Sequence, residues 1–567
     1  MDRRVWHAHY DPGIPIDFDF AERTLPQALE RAALSRGDST ALWFLNRRMT
    51  YRELKDQVDR LSTALARLGV AKGTRVAIQL PNLPQTVIAY YAVLRLGARV
   101  VMTSPLYTER EIAQQWRDAG CEAAVVMDFI WERRIRPMRD ALPVKHYVVA
   151  SIPEYLAFPL NLLAPLKLMK TKPPAYARVR PEPGVHRFRA LVGRTPAAPP
   201  PVEVGLDDVA VLQYTGGTTG VAKGAILTHR NLSGNAQAVA AWLHIAEFAD
   251  EVVLAALPFI HIFGMTVSMN FPVWAGCAMV LVPNPRDFTA LLQAVAKRKV
   301  TLFMGVPAMF NGINNHPDVK ALDLGCVKSC FSGSAPLPVD VLERFEALTG
   351  SRIVEGFGLT ETSPVTHVNP LRTLRKVGSI GVPIIATDAK IVDLETGTRD
   401  LPPGQDGELV IRGPQVMQGY WNQPEETAKM LRNGWLYTGD IAHMDADGYF
   451  FISGRKKEMI IVSGYNVYPD EVDGVLVAHP AVLEAGTIGL PDLRCGERVK
   501  SFVVLRPGMT ATAEELLAHC RANLASYKAP RELEFRAELP RSGALKVLRR
   551  ELRDQELTRA QGGAHPG

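Results

Sequence analysis

Between Tyr214 and Gly224 the chain reads Tyr-Thr-Gly-Gly-Thr-Thr-Gly-Val-Ala-Lys-Gly. Gly216, Gly217 and Gly220 let backbone N–H groups approach an anion closely, while Thr215, Thr218 and Thr219 add hydroxyl donors and Lys223 adds charge. That is phosphate-cradling chemistry. It is not a Walker loop, because Lys223 stands between Ala222 and Gly224 with no Gly-Lys-Ser/Thr run. EGFGLTETSP (355–364) then sets Phe357 between Gly356 and Gly358, ahead of Thr360 and Glu361. Phe357 can stack on a base, Thr360 can donate to a phosphate, and Glu361 can hold Mg²⁺, a hard cation that takes carboxylate oxygen. Taken alone, a Thr-Glu pair is ordinary surface decoration. SGSAPL (332–337) is a turn before a helix entered at Pro338, and LPFIHIFGM places His261 in an apolar run where histidines are usually core residues. Further on come Asp440 in YTGD, the basic cluster Arg455-Lys456-Lys457, the triplet Ser463-Gly464-Tyr465, and Lys546 in LPRSGALKVL.

The elements that must position these residues alternate. RVAIQL (75–80), ARVVMT (98–103) and CEAAVVM (121–127) read as strands, and TVIAYYAVLRLG and EREIAQQWRDAG between them read as helices closed by glycine. Such alternation implies a parallel sheet with crossover helices. The pattern breaks over the proline-dense stretch 151–202, where strand signals disappear. It resumes at VAVLQY (209–214), so the glycine-rich motif follows a strand and precedes a helix starting near His229. From Gly407 to Gly454 the texture is short strands and turns, and the last 110 or so residues form a smaller αβ unit. No charged residue falls between Val252 and Pro285, but Pro258, Gly264, Pro272 and Gly276 divide that run into pieces. It reads as protein core, with a membrane span as the lesser alternative.

In these ordered motifs, from about Leu25 to Leu552, the chain resembles the adenylate-forming superfamily of acyl-CoA synthetases, beetle luciferases and peptide-synthetase adenylation domains. QYTGGTTGVAKGAILTHRNL, GPQVMQGYW, NGWLYTGDIA and SGRKKEMIIVSGYNVYP look like those of bacterial long-chain fatty acyl-CoA synthetases. The resemblance implies an α/β chain. Residues 1–454 would form a large N-terminal domain of sheet-and-helix subdomains, 455–457 a hinge, and 458–567 a small mobile α+β domain carrying the catalytic lysine. It implies ATP, Mg²⁺ and coenzyme A as co-substrates and cofactor. Thr215, Gly216, Gly217, Thr218, Thr219, Gly220 and Lys223 would hold phosphate; Gly333, Ser334 and Ala335 would lie against adenine with Glu355, Gly356, Phe357 and Gly358. Thr360 would serve the α-phosphate, Glu361 the metal, Asp440 the ribose hydroxyls, and Arg455 the ribose or a phosphate. His261 would position the substrate carboxylate. Lys457 matches the hinge, Ser463, Gly464 and Tyr465 the segment lining the pantetheine tunnel after domain rotation, and Lys546 the catalytic lysine. One departure stands out: Leu545 precedes Lys546 where the family usually has glycine, with Gly543 two positions earlier. An inactive C-terminal domain is the alternative this leaves.

The expected activity is therefore a fatty acid:CoA ligase that converts a medium- to long-chain acid to acyl-AMP and then to acyl-CoA. The alternatives are a ligase that loads a carrier-protein thiol and a membrane-associated fatty-acid-binding pseudoenzyme. Small Gly264 and flexible Met265 beside His261 permit a long acyl tunnel. The six cysteines lack a zinc spacing and the N-terminus lacks an apolar signal region, so a reducing, cytoplasmic setting is expected. Net charge is +6, yet residues 156–194 alone hold eight basic residues against Glu182, leaving the rest of the chain at −1. That distribution gives no nucleic-acid surface. YLAFPLNLLAPL followed by this basic run suits a segment lying in a membrane surface, against the alternative of a disordered solvated linker.

Overall fold

The structure is a computed structural model describing residues 4–215, 222–244, 250–462, 465–492, 494, 496–541 and 547–562. Apolar, β-branched runs need cover on both faces, and parallel pairing with crossover helices supplies it. Strands Arg75–Gln79, Arg99–Met102 and Ala123–Met127 accordingly pair in parallel. His146–Ala150 and Val185–Arg187 extend this sheet on one flank and Val209–Thr215 on the other. The crossover helix Pro84–Arg95 is buried on every side from Pro84 to Leu94. Helix Glu109–Ala119 buries Ile112 and Trp116 and stops at Gly120, whose φ of +65° a side chain would resist. Antiparallel Lys223–Thr228 and short Gly419–Tyr420 complete eight strands.

A second sheet of nine strands holds the charge-free run at its centre. Val252–Ala255 and Ala278–Leu281 are parallel neighbours there, followed outward by Leu302–Gly305, Ser329–Ser332 and Arg352–Gly358. That run is core, and among the described residues no helix is long and apolar enough to cross a membrane. Helix His229–Trp242, buried along nearly its whole length, carries polar groups that stitch distant segments together. Asn235 behaves like a strand neighbour: its Nδ2 donates to Val365 O at 2.7 Å and its Oδ1 accepts from Val365 N at 3.0 Å. Asn231 donates to the carbonyls of Pro414 and Val416. Asp388–Val392, Gly407–Arg412, Trp435–Met444 and Phe450–Arg455 make a smaller antiparallel sheet. From Ile460 onward the buried apolar residues form two separate small clusters around a last sheet.

Three elements differ from the sequence expectation. The stretch 151–202 is not without strands: Val185–Arg187 pairs with His146–Ala150 and forms the outer edge of the first sheet. Three residues are too short for a visible alternation. The hairpin Thr40–Phe44 and Arg47–Thr50, hidden by the arginines of its edge strand, caps the second sheet. Strand Lys223–Thr228 pairs antiparallel with Val209–Thr215, Thr215 opposite Lys223, and the helix after it begins at His229 as expected. The remaining part of 156–194 is built on helices Leu160–Met169 and Phe188–Arg194 rather than on featureless linker.

Two buried carboxyls secure that insertion. Asp128 Oδ2 accepts from Ser151 Oγ and Ala177 N, and Glu154 accepts from Ser151 N, Gln85 Nε2 and Arg189 N. Burial outweighs these bonds and pushes Asp128 up to about 6 and Glu154 up to about 7. The folded chain thus binds more protons than the unfolded one between the ordinary carboxyl range and about pH 7, and this stabilisation is lost as pH rises through that value. Melting temperature should fall by about 1–2 °C from roughly pH 6 to pH 8, and Glu154→Gln should flatten the fall. A wild-type slope retained in Glu154→Gln would contradict it.

Candidate active site

Ligands of α/β sheets bind beyond the carboxyl ends of parallel strands, and here strands of both sheets end at one cavity of about 1710 Å³. A drug-sized ligand fills roughly 300–1,000 Å³, so this space accommodates more than one ligand. Thr215, Lys223, His261, Gly333, Ser334, Ala335, Gly356, Phe357, Gly358, Thr360, Glu361, Arg455 and Lys457 all border it. Gly216, Gly217, Thr218, Thr219, Gly220, Ser463, Gly464 and Lys546 lie outside the described residues.

Strand Arg352–Gly358 delivers Phe357 and then a short turn, Thr360–Thr362. A side chain on Gly358 would come within 2.1 Å of Pro364 O, so glycine alone permits this turn to fold back onto Val365–Val368. Thr362 Oγ1 accepts from Leu359 N at 3.0 Å and donates to Pro364 O at 2.5 Å, fixing the turn that presents Thr360 and Glu361. Ser334 sits at φ +73°, left-handed backbone unusual for a residue with a side chain, next to Gly333, whose Cβ would press on the Phe263 ring at 3.1 Å.

Glu361 is nearly buried, and the Tyr420 hydroxyl donates to its Oε1 at 2.6 Å. Burial and the neighbouring carboxylate hold the Tyr420 phenol well above its ordinary value, so it remains a donor. Lys223 Nζ lies 5.2 Å from the centre of the same ring and pairs with Glu426. Lys223 and Lys429 together hold the Glu426 carboxyl down at about 2. Among the described residues no group of three or more metal-ligating side chains occurs. Glu361 as a single carboxylate fits Mg²⁺, which is held through one or two carboxylates plus phosphate oxygens and water, and fits poorly a metal needing a full protein cage.

The His261 loop is tied to both sheets. Asn82 Nδ2 donates to Ala255 O at 2.9 Å and Leu257 O at 2.8 Å, its Oδ1 accepts from Phe259 N, and Gln213 Nε2 donates to Ile260 O at 2.7 Å. Half-buried His261 then faces the cavity. Gly264 and Met265 do not border it. A Cβ on Gly264 would meet Pro258 O at 2.5 Å, and Met265 is wholly buried in the core, so their smallness and flexibility serve packing rather than an acyl tunnel.

Glu355 also departs from expectation. Its carboxylate accepts from Leu337 N at 3.0 Å and Gly378 N at 3.2 Å, which places it behind the cavity wall, where it shapes the 333–337 loop instead of facing ligand. Asp440 is buried beside Arg455, whose Nε lies 2.8 Å from its Oδ1 across paired strands, and this carboxylate keeps the guanidinium firmly protonated. Tyr465 is exposed and stacks on Tyr527 at 4.8 Å, outside the cavity. Lys457 lies in a turn between two anchored neighbours. Lys456 Nζ reaches Glu408 of the antiparallel sheet at 3.0 Å, whereas Glu458 pairs with Arg549 of the last helix at 2.8 Å. Tyr420, Glu426, Asn82 and Gln213 were not distinguished by type or spacing; only Tyr420, in QGYW beside the other motifs, carried a signal that could have found it.

Residues 29–421 match the AMP-binding enzyme family and residues 471–546 the AMP-binding enzyme C-terminal domain. The chain is 43% identical over 558 residues to a long-chain-fatty-acid–CoA ligase of Bacillus subtilis, covering 98% of this chain and 99% of that one. It superposes on an anthranilate CoA ligase in complex with anthranoyl-AMP with a TM-score of 0.83 at 27% identity, covering 96% and 99% of the two chains. ATP-bound MatB from Rhodopseudomonas palustris gives 0.81 at 28% identity, covering 94% and 99%.

Replacing Tyr420 by Phe deletes only the hydroxyl that orients Glu361. A bond to a charged acceptor contributes about 1.5–3 kcal/mol. Tyr420→Phe should therefore weaken ATP binding about tenfold in the presence of Mg²⁺, by calorimetric titration, with little change in its absence. Equal losses in both conditions would mean the hydroxyl does not act through the metal ligand.

Proposed function

The chain belongs to the AMP-binding enzyme family, and from that membership we infer that it is an AMP-forming long-chain fatty acid–CoA ligase using ATP, Mg²⁺ and coenzyme A. The observation that carries this reading is one cavity lined by two unlike chemistries. Lys223, Thr360 and Arg455 bring polar groups to its lining, while Trp242, Leu243, Val267, Met304 and Phe331 bring apolar ones. A phosphate-bearing nucleotide and an alkyl chain thereby both find partners in a lining that also includes His261.

A fatty acid carboxylate oxygen attacks the α-phosphorus of ATP in line. The bond to the β-phosphate breaks, pyrophosphate leaves with its electron pair, and acyl-AMP remains. Negative charge spreads over the phosphate oxygens, so the protein contributes fixed cations and donors more than acid–base groups. Lys223 and the 215–220 loop neutralise the outer phosphates, Thr360 donates at the α-phosphate, and His261 orients the carboxylate. Mg²⁺ held by Glu361 supplies Lewis-acid neutralisation of phosphate charge. Lys546 brings a further cation, despite Leu545 before it. In the second step the coenzyme A sulfur attacks the acyl carbonyl, the bond to the adenylate oxygen breaks, and AMP leaves. A thiol with a pKa near ~8.5 needs no strong dedicated base.

In this reading residues 1–454 and 458–567 are the two domains and 455–457 the hinge. Lys457 is the pivot, because the side chain before it is tied to one body and the side chain after it to the other. Rotation there exchanges Lys546 for the Ser463–Tyr465 face, a gate between the two half-reactions. The protein works in the cytoplasm, in peripheral contact with the inner face of the cell membrane through 156–194.

Purified protein given ATP, Mg²⁺, palmitate and coenzyme A should form palmitoyl-CoA, AMP and pyrophosphate in equal amounts. Lys546→Ala should slow palmitate-dependent pyrophosphate release at least ~100-fold. Acyl-AMP accumulating without acyl-CoA would point to a carrier-protein acceptor, and wild-type protein that releases no pyrophosphate would be a binding protein.

A further inference from the structure

Helix Leu160–Met169 is unlike the rest of the surface. Phe158, Leu162 and Leu166 are 77%, 65% and 61% exposed, and Leu160, Leu163 and Met169 are exposed with them. Scattered exposed leucines are normal on a folded chain; a contiguous patch of this kind marks an interaction site. The helix is not loose. Leu156 just before it is buried, Ala164 on its inner side packs against the large core, and Ala157 N donates to Asn46 Oδ1 at 3.2 Å. The inner side is thus seated and the leucines are left facing outward.

Its charge is equally one-sided. Lys167 and Lys170 close the helix and Lys172 follows, all exposed, and among the described residues none of the three pairs with a carboxylate. The one acid of the segment, Glu182, is turned inward, to Arg136 at 2.6 Å and Arg139 at 3.1 Å. A patch of leucines and phenylalanine edged by unpaired lysines matches a surface with acyl chains below and negative headgroups above.

Deepening the peripheral reading given above, on which it rests, we propose that helix Leu160–Met169 with Phe158 and Lys167–Lys172 is the device that seats this protein in an anionic phospholipid surface. Ten residues make about 15 Å of helix, half of a ~30 Å hydrocarbon core, so the helix lies in the interface and does not span it. A second copy of the chain is the less suitable occupant. A two-fold contact through this patch would bury Lys167, Lys170 and Lys172 with no acid to answer them, since Glu182 is already paired inward, whereas an anionic bilayer supplies the opposite sign.

The test is co-sedimentation of the full-length protein with phosphatidylcholine vesicles containing about a third phosphatidylglycerol, and with phosphatidylcholine alone, alongside its octanoate-dependent pyrophosphate release. Wild type should bind the anionic vesicles. A Leu162→Ser, Leu163→Ser, Leu166→Ser variant should bind them at least ~10-fold more weakly. A Lys167→Gln, Lys170→Gln, Lys172→Gln variant should lose affinity for anionic vesicles only, and both should turn over soluble octanoate as wild type does. Wild type that ignores anionic vesicles, or a leucine variant that binds as wild type, overturns the proposal. So does a wild-type dimer in analytical ultracentrifugation that the leucine variant converts to monomer, since the patch then belongs to a second copy. Absence of turnover of both octanoate and palmitate in all three proteins would instead defeat the assignment of activity, and vesicle binding would still decide the docking.

Discussion

Two opposite charges, Glu361 and Lys223, border one cavity, and a single aromatic ring touches both. Tyr420 gives its hydroxyl to Glu361 and lies beneath Lys223, so the anionic and cationic groups of the site are fixed to different parts of a single side chain. Glu426 takes the lysine from the other side. The ring arrives on the two-residue strand Gly419–Tyr420, which pairs with Lys223–Thr228, so the edge of the first sheet sets the geometry.

The other half of the site comes from the second sheet, and the two are locked by buried amides. Asn82 leaves the first sheet to hold the turn after Ala255; Gln213 holds the same loop from the strand entering the glycine-rich motif; Asn235 completes the backbone of Val365 behind Glu361. Each pairs backbone groups that would otherwise be buried without partners, a state costing about 1–3 kcal/mol per group. The cavity wall is therefore held from behind by polar contacts.

What could be read from residues alone followed the strength of local signals. Strands 75–79, 99–102 and 123–127 and their crossover helices were legible because β-branched runs and glycine stops repeat in a regular alternation. Strand Val185–Arg187 and strand Arg47–Thr50 were not, since edge strands of three or four residues with arginines carry neither alternation nor an apolar run; Thr40–Phe44 is an apolar run paired on both sides and was passed over. The antiparallel pairing of the two strands that flank the glycine-rich motif carried no signal of its own. Most expected site residues converge on one cavity, but Glu355 turned out to bind backbone behind the wall, and Gly264 to relieve packing. A carboxylate facing ligand and one capping a loop look identical in sequence, as do a glycine beside a tunnel and one against a carbonyl. Tyr420, Asn82 and Gln213 act through contacts 47 to more than 170 residues away in sequence, which no local pattern encodes.

The central claim is that a fatty carboxylate is activated by attack on the α-phosphorus of ATP before the thiol takes the acyl group. Turnover of palmitate labelled with ¹⁸O in both carboxyl oxygens tests it directly, with the products read by mass spectrometry. The mechanism carries one labelled oxygen into AMP, none into pyrophosphate, and leaves the other in palmitoyl-CoA. Unlabelled AMP, or label appearing in inorganic phosphate alongside ADP, would contradict it.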